Sequence, residues 1–211
     1  MKHLIIIGAR GFGREVYGLA LESQGYGTDF VIKGFLDDKS NALENFVEYP
    51  QIIGPVETYE LQQDDVFICA LGDVHYKKKY AEMILQKGGE FINIIHNTAH
   101  VGKNLKMGKG CIICNFASIS CDVTVGDFCT LQPYSGFGHD CFIGNYVEIE
   151  TGVALGGGVY IDDFVTLHPG CTVVPHKKIG RNAIVAANSV VMRNVKEGIT
   201  VIGNPAKELK I

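Results

Sequence analysis

The chain has no tryptophan, six prolines in 211 residues, and no apolar run near the roughly 20 residues that a membrane helix needs. Charged residues make up 20% with a formal net charge of -4, and Lys77-Lys78-Lys79 is its one run of three bases. A basic face for nucleic acid is therefore not expected, nor is a membrane partner, and the triple lysine reads as a solvated helix face. No segment is of low complexity, which argues against disorder. The opening Met1-Lys2-His3-Leu4-Ile5-Ile6-Ile7-Gly8 has no small-residue cleavage site. It reads as a buried strand rather than a signal peptide, and the expected compartment is the cytoplasm.

Glycine is present in excess, 26 residues or about 12% against an average near 7%. Six of the seven cysteines, Cys111, Cys114, Cys121, Cys129, Cys141 and Cys171, lie in the carboxy-terminal half. In a reducing compartment they serve most simply as small apolar residues. Cys111-x-x-Cys114 has no second such pair and no histidine pair at zinc-finger spacing, so no metal is expected.

A period of six organises that half. From Val101 through Met107, Ile113 and Ile119 to Val191, every sixth residue is apolar without a slip, which defines sixteen hexapeptides over residues 101–196. Glycine often follows the anchor (Gly102, Gly108, Gly126, Gly138, Gly144, Gly156, Gly180), and the fourth residue after it is usually small or aliphatic. An inward aliphatic residue, a glycine near a corner and a second inward residue describe one side of a triangular prism. Three sides close a coil of 18 residues, so Cys111 and Cys129 should stack in successive coils.

Residues 1 to about 94 have another rhythm. Strands over Leu4–Ile7, Phe30–Leu36, Val66–Ala70 and Phe91–Ile95 alternate with helices over Arg14–Gln24 and roughly Tyr76–Gln86, the pattern of a parallel, Rossmann-like sheet. The loop Gly8-Ala9-Arg10-Gly11-Phe12-Gly13 opens the first helix, so its amides can face a phosphate. Its spacing departs from G-x-G-x-x-G, which disfavours a nicotinamide dinucleotide. Asp37 and Asp38 end the second strand, where open α/β sheets bind ligands.

The ordered set Ile7-Gly8-Ala9-Arg10-Gly11-Phe12-Gly13-Arg14-Glu15, Phe35-Leu36-Asp37-Asp38, Gly138-His139-Asp140-Cys141 and Gly203-Asn204-Pro205-Ala206-Lys207 resembles the NeuD/PglD family of sugar acetyltransferases over nearly the whole chain. The resemblance implies an α/β Rossmann-like domain over residues 1–94 that holds a nucleotide-sugar acceptor. It further implies a left-handed parallel β-helix over residues 95–211, and a homotrimer with acetyl-CoA in the groove between adjacent prisms. By the same resemblance His139 and Asp140 are the catalytic pair, and Arg10, Gly11, Phe12, Asp37, Asp38 and Gly72 bind the acceptor. Gly157, Pro169 and Ala187 line the donor site, as does Glu148, which stands where the family often has histidine; Gln132 stands where it often has asparagine.

Chemistry favours the same histidine. Acetyl transfer from a thioester needs a base near neutral pH, and an adjacent carboxylate stabilises the imidazolium. His139 is not an inward anchor and Asp140 follows it; Gly156-Gly157-Gly158 should stack one coil beyond. His96, His100, His168 and His176 read as surface or cap residues. The expected activity is N-acetylation of a nucleotide-linked amino sugar. Alternatives are O-acetylation of sialic acid or another sugar hydroxyl, and a non-catalytic hexapeptide scaffold. A γ-class carbonic anhydrase shares the prism, but His139, His168 and His176 do not match its three zinc-binding histidines well.

Overall fold

The computed structural model describes residues 1–210 and divides them into two compact units, Met1–Asn97 and the remainder from Thr98. In the first unit a parallel sheet has the order β3-β2-β1-β4-β5, with β1 at Lys2–Ile7, β2 at Phe30–Leu36, β3 at Ile52–Gly54, β4 at Asp65–Cys69 and β5 at Glu90–Phe91. Helices α1 (Gly11–Leu21) and α2 (Val74–Gln86) follow β1 and β4. Leu4–Ile7 and Val66–Cys69 are 0–1% exposed, as expected of central parallel strands covered on both sides. The strand order reverses beside β1, so the ligand crevice of such a sheet lies at the carboxyl ends of β1 and β4.

Several details differ from the sequence expectation. Helix α1 begins at Gly11, three residues early, because Gly8 turns the chain at φ +98° straight into it. The strand expected over Phe91–Ile95 pairs with β4 only at Glu90 and Phe91. Strand β3 carries no clear apolar pattern and gains its place by pairing with Phe35 and Leu36. The triple lysine is not uniformly solvated: Lys77 is 0% exposed, on the face of α2 that also buries Val74, Ala81 and Ile84, while Lys78 pairs with Glu82 at 2.6 Å.

The segment before β4 is pinned by two lysines. Lys33 Nζ donates to Asp65 Oδ1 at 2.7 Å and to Tyr59 Oη at 2.9 Å, and Tyr59 donates to the other Asp65 oxygen at 2.7 Å. Burial pushes the Asp65 carboxyl up, but hydrogen bonds from Lys33, the Gln62 amide and Tyr59 outweigh it and hold the group below the usual carboxylate value. Lys87 Nζ meanwhile donates to the carbonyls of Val56 and Tyr59 at 2.9 and 3.0 Å.

The second unit is a left-handed parallel β-helix of two-residue strands, each paired in parallel with the strand 18 residues on. Face I carries residues 100–101, 118–119, 136–137, 154–155, 172–173 and 190–191; face II begins at 106–107 and face III at 112–113, with the same spacing. From Ile113 to Val191 the sixth-residue anchors are at most 5% exposed. Cys111, Cys129 and Cys141 point inward, their Sγ–H groups donating to the carbonyls of Gly126, Gly144 and Gly156 at 3.2, 3.0 and 3.3 Å. After Val191 the repeat breaks, and Thr200–Ile202 caps face III by pairing with 184–185 in parallel and with Lys207–Glu208 in antiparallel fashion.

The glycines after the anchors do not turn the corners. The left-handed residue of each coil side is the third after the anchor, and it is usually not glycine: Asn104, Phe116, Asp122, Phe128, Tyr134, Asp140, Tyr146, Phe164, His176, Asn182 and Asn188 all have φ between 55° and 61°. The glycines answer to space. A β-carbon on Gly102 would lie 2.6 Å from the Ser120 carbonyl of the next coil, and one on Gly138 would lie 2.5 Å from the Gly157 nitrogen. Successive coils come too close there for any side chain.

Candidate active site

His139 and Asp140 stand on the edge between faces I and II. His139 Nδ1 lies 2.6 Å from Asp140 Oδ2, and both side chains are open to solvent. With Nδ1–H donating to the carboxylate, Nε2 keeps its lone pair and is the basic nitrogen. The ring lies over Gly157 of the next coil: a β-carbon there would come within 2.8 Å of both Cε1 and Nε2. Glycine at 157 thus makes room for the imidazole, and Gly158 N–H ties the coils together by donating to the His139 carbonyl at 2.8 Å.

The amides of His139 and Gly157, at this edge, donate to no group among the described residues. Below them stands a second carboxylate. Asn104 Nδ2 donates to Asp122 Oδ1 at 2.8 Å, and that bond, then one from Cys121 and the nearby His139, hold the Asp122 carboxyl below its ordinary value. The edge therefore combines a base, two carboxylates and two unpaired amides, the set needed to take a proton and to stabilise an oxyanion.

Pro169 and Ala187 are exposed on a different edge, between faces III and I, joined by the Asn188 amide donating to the Pro169 carbonyl at 2.9 Å. Glu148 is 1% exposed on face III beside that edge, where Gln132 Nε2 donates to it at 3.2 Å. Near it His168 Nδ1 meets Glu150 Oε2 at 3.1 Å. The expected donor residues are thus divided within one chain: Gly157 is on one edge with His139, whereas Glu148, Pro169 and Ala187 gather about another. Burial, and then the Glu150 charge, push the Cys171 thiol up to about 12, and burial also raises Cys141, which disfavours the thiolate at both.

In the first unit a cavity of about 520 Å³ opens at the carboxyl ends of β1, β2 and β4. Arg10, Phe12, Asp37, Asp38 and Gly72 line it. Gly11 begins α1 beside them; β-carbons at Gly11 and Gly72 would meet nothing within 4 Å, so neither glycine is required by packing. Gly8 and Gly13 are structural by contrast, since a β-carbon on Gly8 would strike Ala70 and one on Gly13 would overlap the Gly8 carbonyl.

The two helix starts differ. Asp73 caps α2, its Oδ1 accepting from the amides of His75 and Tyr76 at 2.9 Å. Helix α1 has no side-chain cap, leaving its first-turn amides open, a ready anion site. The aspartates are also unequal. Asp37 is occupied by the backbone, accepting from Ala9 N–H and Lys39 N–H at 2.9 Å each, and so fixes the loop. Asp38 faces the cavity and accepts from Tyr80 Oη–H at 2.5 Å; that bond, then burial, push the phenol up to about 12. Tyr76 and Tyr80 complete the wall, and no sequence motif had pointed to them.

Of the histidines expected at the surface, His176 is exposed, on the I/II edge one coil beyond Gly158, whereas His96 is 7% exposed and bonded to Glu22 at 3.1 Å. Among the described residues no three histidine, cysteine, aspartate or glutamate side chains converge as a metal site, and no helix is long and apolar enough to cross a membrane.

Residues 3–84 match the PglD N-terminal domain family. UDP-N-acetylbacillosamine N-acetyltransferase of Bacillus subtilis (strain 168) is 30% identical over 117 residues, 54% of this chain and 51% of that protein. The match thus spans about half of that relative's length. The acetyltransferase domain of PglB from Neisseria gonorrhoeae FA1090 superposes with a TM-score of 0.90 at 26% identity, over 99% of this chain and 100% of that one. The same domain in complex with acetyl coenzyme A gives 0.89 at 25% identity, over 99% of each chain.

Proposed function

We propose that this chain, PglD/NeuD-like by the family of its front domain and by its whole fold, is an acetyl-CoA-dependent N-acetyltransferase of a nucleotide-linked amino sugar, working in the cytoplasm as a homotrimer. The observation that carries the reading is the His139–Asp140 pair set over the unpaired Gly157 amide. The names of the relatives agree in kind: one acts on a UDP-linked sugar and one binds acetyl coenzyme A.

In this reading the thioester carbonyl accepts from Gly157 N–H, which polarises it and then stabilises the tetrahedral oxyanion. The sugar amine attacks the carbonyl carbon while His139 Nε2 takes its proton. Asp140 holds the ring through Nδ1 and stabilises the imidazolium, with Asp122 adding negative charge nearby. Collapse breaks the carbon–sulfur bond and releases the amide and CoA. Because Pro169, Ala187 and Glu148 lie on another edge from Gly157, the donor groove is formed by the I/II edge of one prism and the III/I edge of a second copy. Glu148, being buried, acts there through Gln132 rather than by touching the donor.

In the front cavity the acceptor's diphosphate rests on the open start of α1 beside Arg10, in the space left by Gly11. Asp38, oriented by Tyr80, accepts from the nucleoside or sugar, while Asp37 keeps the loop in shape.

The test is CoA release with acetyl-CoA and a panel of UDP-linked amino sugars, free sialic acid and CMP-linked sialic acid. Turnover with an amino sugar, lost in His139→Ala while the oligomer stays folded, supports the reading. Turnover on the hydroxyl acceptors alone would move the activity to O-acetylation, and release with none would leave a non-catalytic scaffold.

A further inference from the structure

Two imidazoles bracket the step Gly157–Gly158. His139 reaches it from the preceding coil, as described. His176 reaches it from the following coil: a β-carbon on Gly158 would lie 2.5 Å from its Nδ1 and 2.9 Å from its Cε1. Its backbone N–H donates to the Gly157 carbonyl at 3.0 Å, which fixes its α-carbon over the step. Pro175 stiffens the same roof, its ring and nitrogen 2.6 Å from where a β-carbon on Gly156 would be. His139, His168 and His96 each have a carboxylate at 2.6–3.1 Å. The exposed His176 ring has no hydrogen-bond partner among the described residues.

This arrangement bears on the thioester. With its oxygen on the Gly157 amide and the attacking amine on the His139 side, two substituents of the reacting carbon remain, methyl and sulfur. The next coil along carries the one free imidazole of the edge, and sulfur is the substituent that gains charge. Resting on the acetyl-transfer reading, we propose that His176 donates an N–H to the sulfur of acetyl-CoA and to the thiolate as it departs. The carbon–nitrogen bond forms as the carbon–sulfur bond breaks, the bonding pair moves onto sulfur, and the amine proton goes to His139 Nε2. His176 gives up no proton in that step; it stabilises the thiolate until solvent or the His139 imidazolium protonates it.

The experiment compares binding of CoA and desulfo-CoA by calorimetry near pH 8, alongside turnover. The wild-type protein is expected to prefer CoA by about three- to tenfold, the worth of one hydrogen bond. His176→Ala loses the preference and His139→Ala keeps it. His176→Asn, which tolerates the left-handed backbone, loses it as well and guards against a folding effect. In turnover, His176→Ala lowers kcat about tenfold or more with the acceptor KM unchanged, and His176→Gln recovers part of it. Equal binding of the two ligands by the wild type, a preference surviving in His176→Ala and His176→Asn, or a kcat within twofold overturns the sulfur contact and leaves acetyl transfer standing. A wild-type protein that binds neither ligand overturns the acetyl-transfer reading and this proposal with it.

Discussion

Two edges of the prism share one backbone and differ in what their amides do. On the II/III edge, the second residue after three successive anchors caps the coil before it: Asp127 accepts from Lys109 N–H at 2.9 Å, Asn145 from Asp127 N–H at 2.8 Å, and Asp163 from Asn145 N–H at 2.8 Å. Phe128, Tyr146 and Phe164 stack beside them, with centroids 5.0 and 5.3 Å apart. On the I/II edge the equivalent residues are Cys121, His139, Gly157 and Pro175, and the caps stop. Asn145 and Asp163 use their polar atoms to close the surface. His139 and Gly157, at the same places in their coils, leave a base and an amide open. The III/I edge also leaves the Thr151 and Ala187 amides without an acceptor among the described residues, so what marks the I/II edge is the pairing of an open amide, Gly157, with the His139 imidazole over it.

The sharpest way to break the comparison is to exchange nothing but the edge. His139→Ala should lower kcat by on the order of 10² or more, whereas Asn145→Ala should leave kcat within about twofold, both read from steady-state CoA release. Next, Gly157→Ala adds a methyl against the imidazole 2.8 Å away, at a φ that a side chain can adopt, so displacement of the base should cost about tenfold in kcat with the circular dichroism unchanged. If Gly157→Ala is fully active, the ring is not held over that amide during catalysis.

Asp122→Asn should cost less, about two- to fivefold in kcat, since it removes a charge near the imidazolium but no contact with the reacting atoms. Its folded value is depressed, so the carboxylate is charged above its ordinary pKa near 4 and loses that charge only as pH falls through the lower folded value. Asp122 therefore stays charged from pH 5 upward and adds no titration of its own to the kcat profile there, so the ratio of wild type to Asp122→Asn should change above pH 5 only where kcat itself follows the His139 base. On the sealed edge, Asp163→Ala removes the acceptor for Asn145 and the partner of Arg181. It should lower Tm by about 2–6 °C while leaving kcat untouched.

Much of this was legible before any coordinates. The unbroken sixfold run of anchors specified the prism, because nothing else buries every sixth residue. His139 stands out in sequence through Gly138-His139-Asp140-Cys141, its place off the anchors and the base that a thioester reaction needs, and the structure sets it 2.6 Å from Asp140 and over Gly157. Four features were not legible, three of them because they depend on residues 18 or more positions away. The turning residue is the third after the anchor and is usually Asn, Asp or an aromatic, so glycine frequency misled. Whether an amide is capped depends on the next coil, so Gly157 and Asn145 look equally plain in sequence. His176 joins the I/II edge only through the coil stack, while Tyr80 meets Asp38 across 42 residues of chain.

The central claim is that the uncapped I/II edge holds the acyl group, and the most direct test is a crystal structure with acetyl-CoA bound. The account predicts the thioester oxygen about 3 Å from Gly157 N, with His139 Nε2 facing the carbonyl carbon and the pantetheine arm running past Pro169 and Ala187 of a second copy. Acetyl-CoA seated on the sealed II/III edge, or held with its carbonyl away from Gly157, would contradict it.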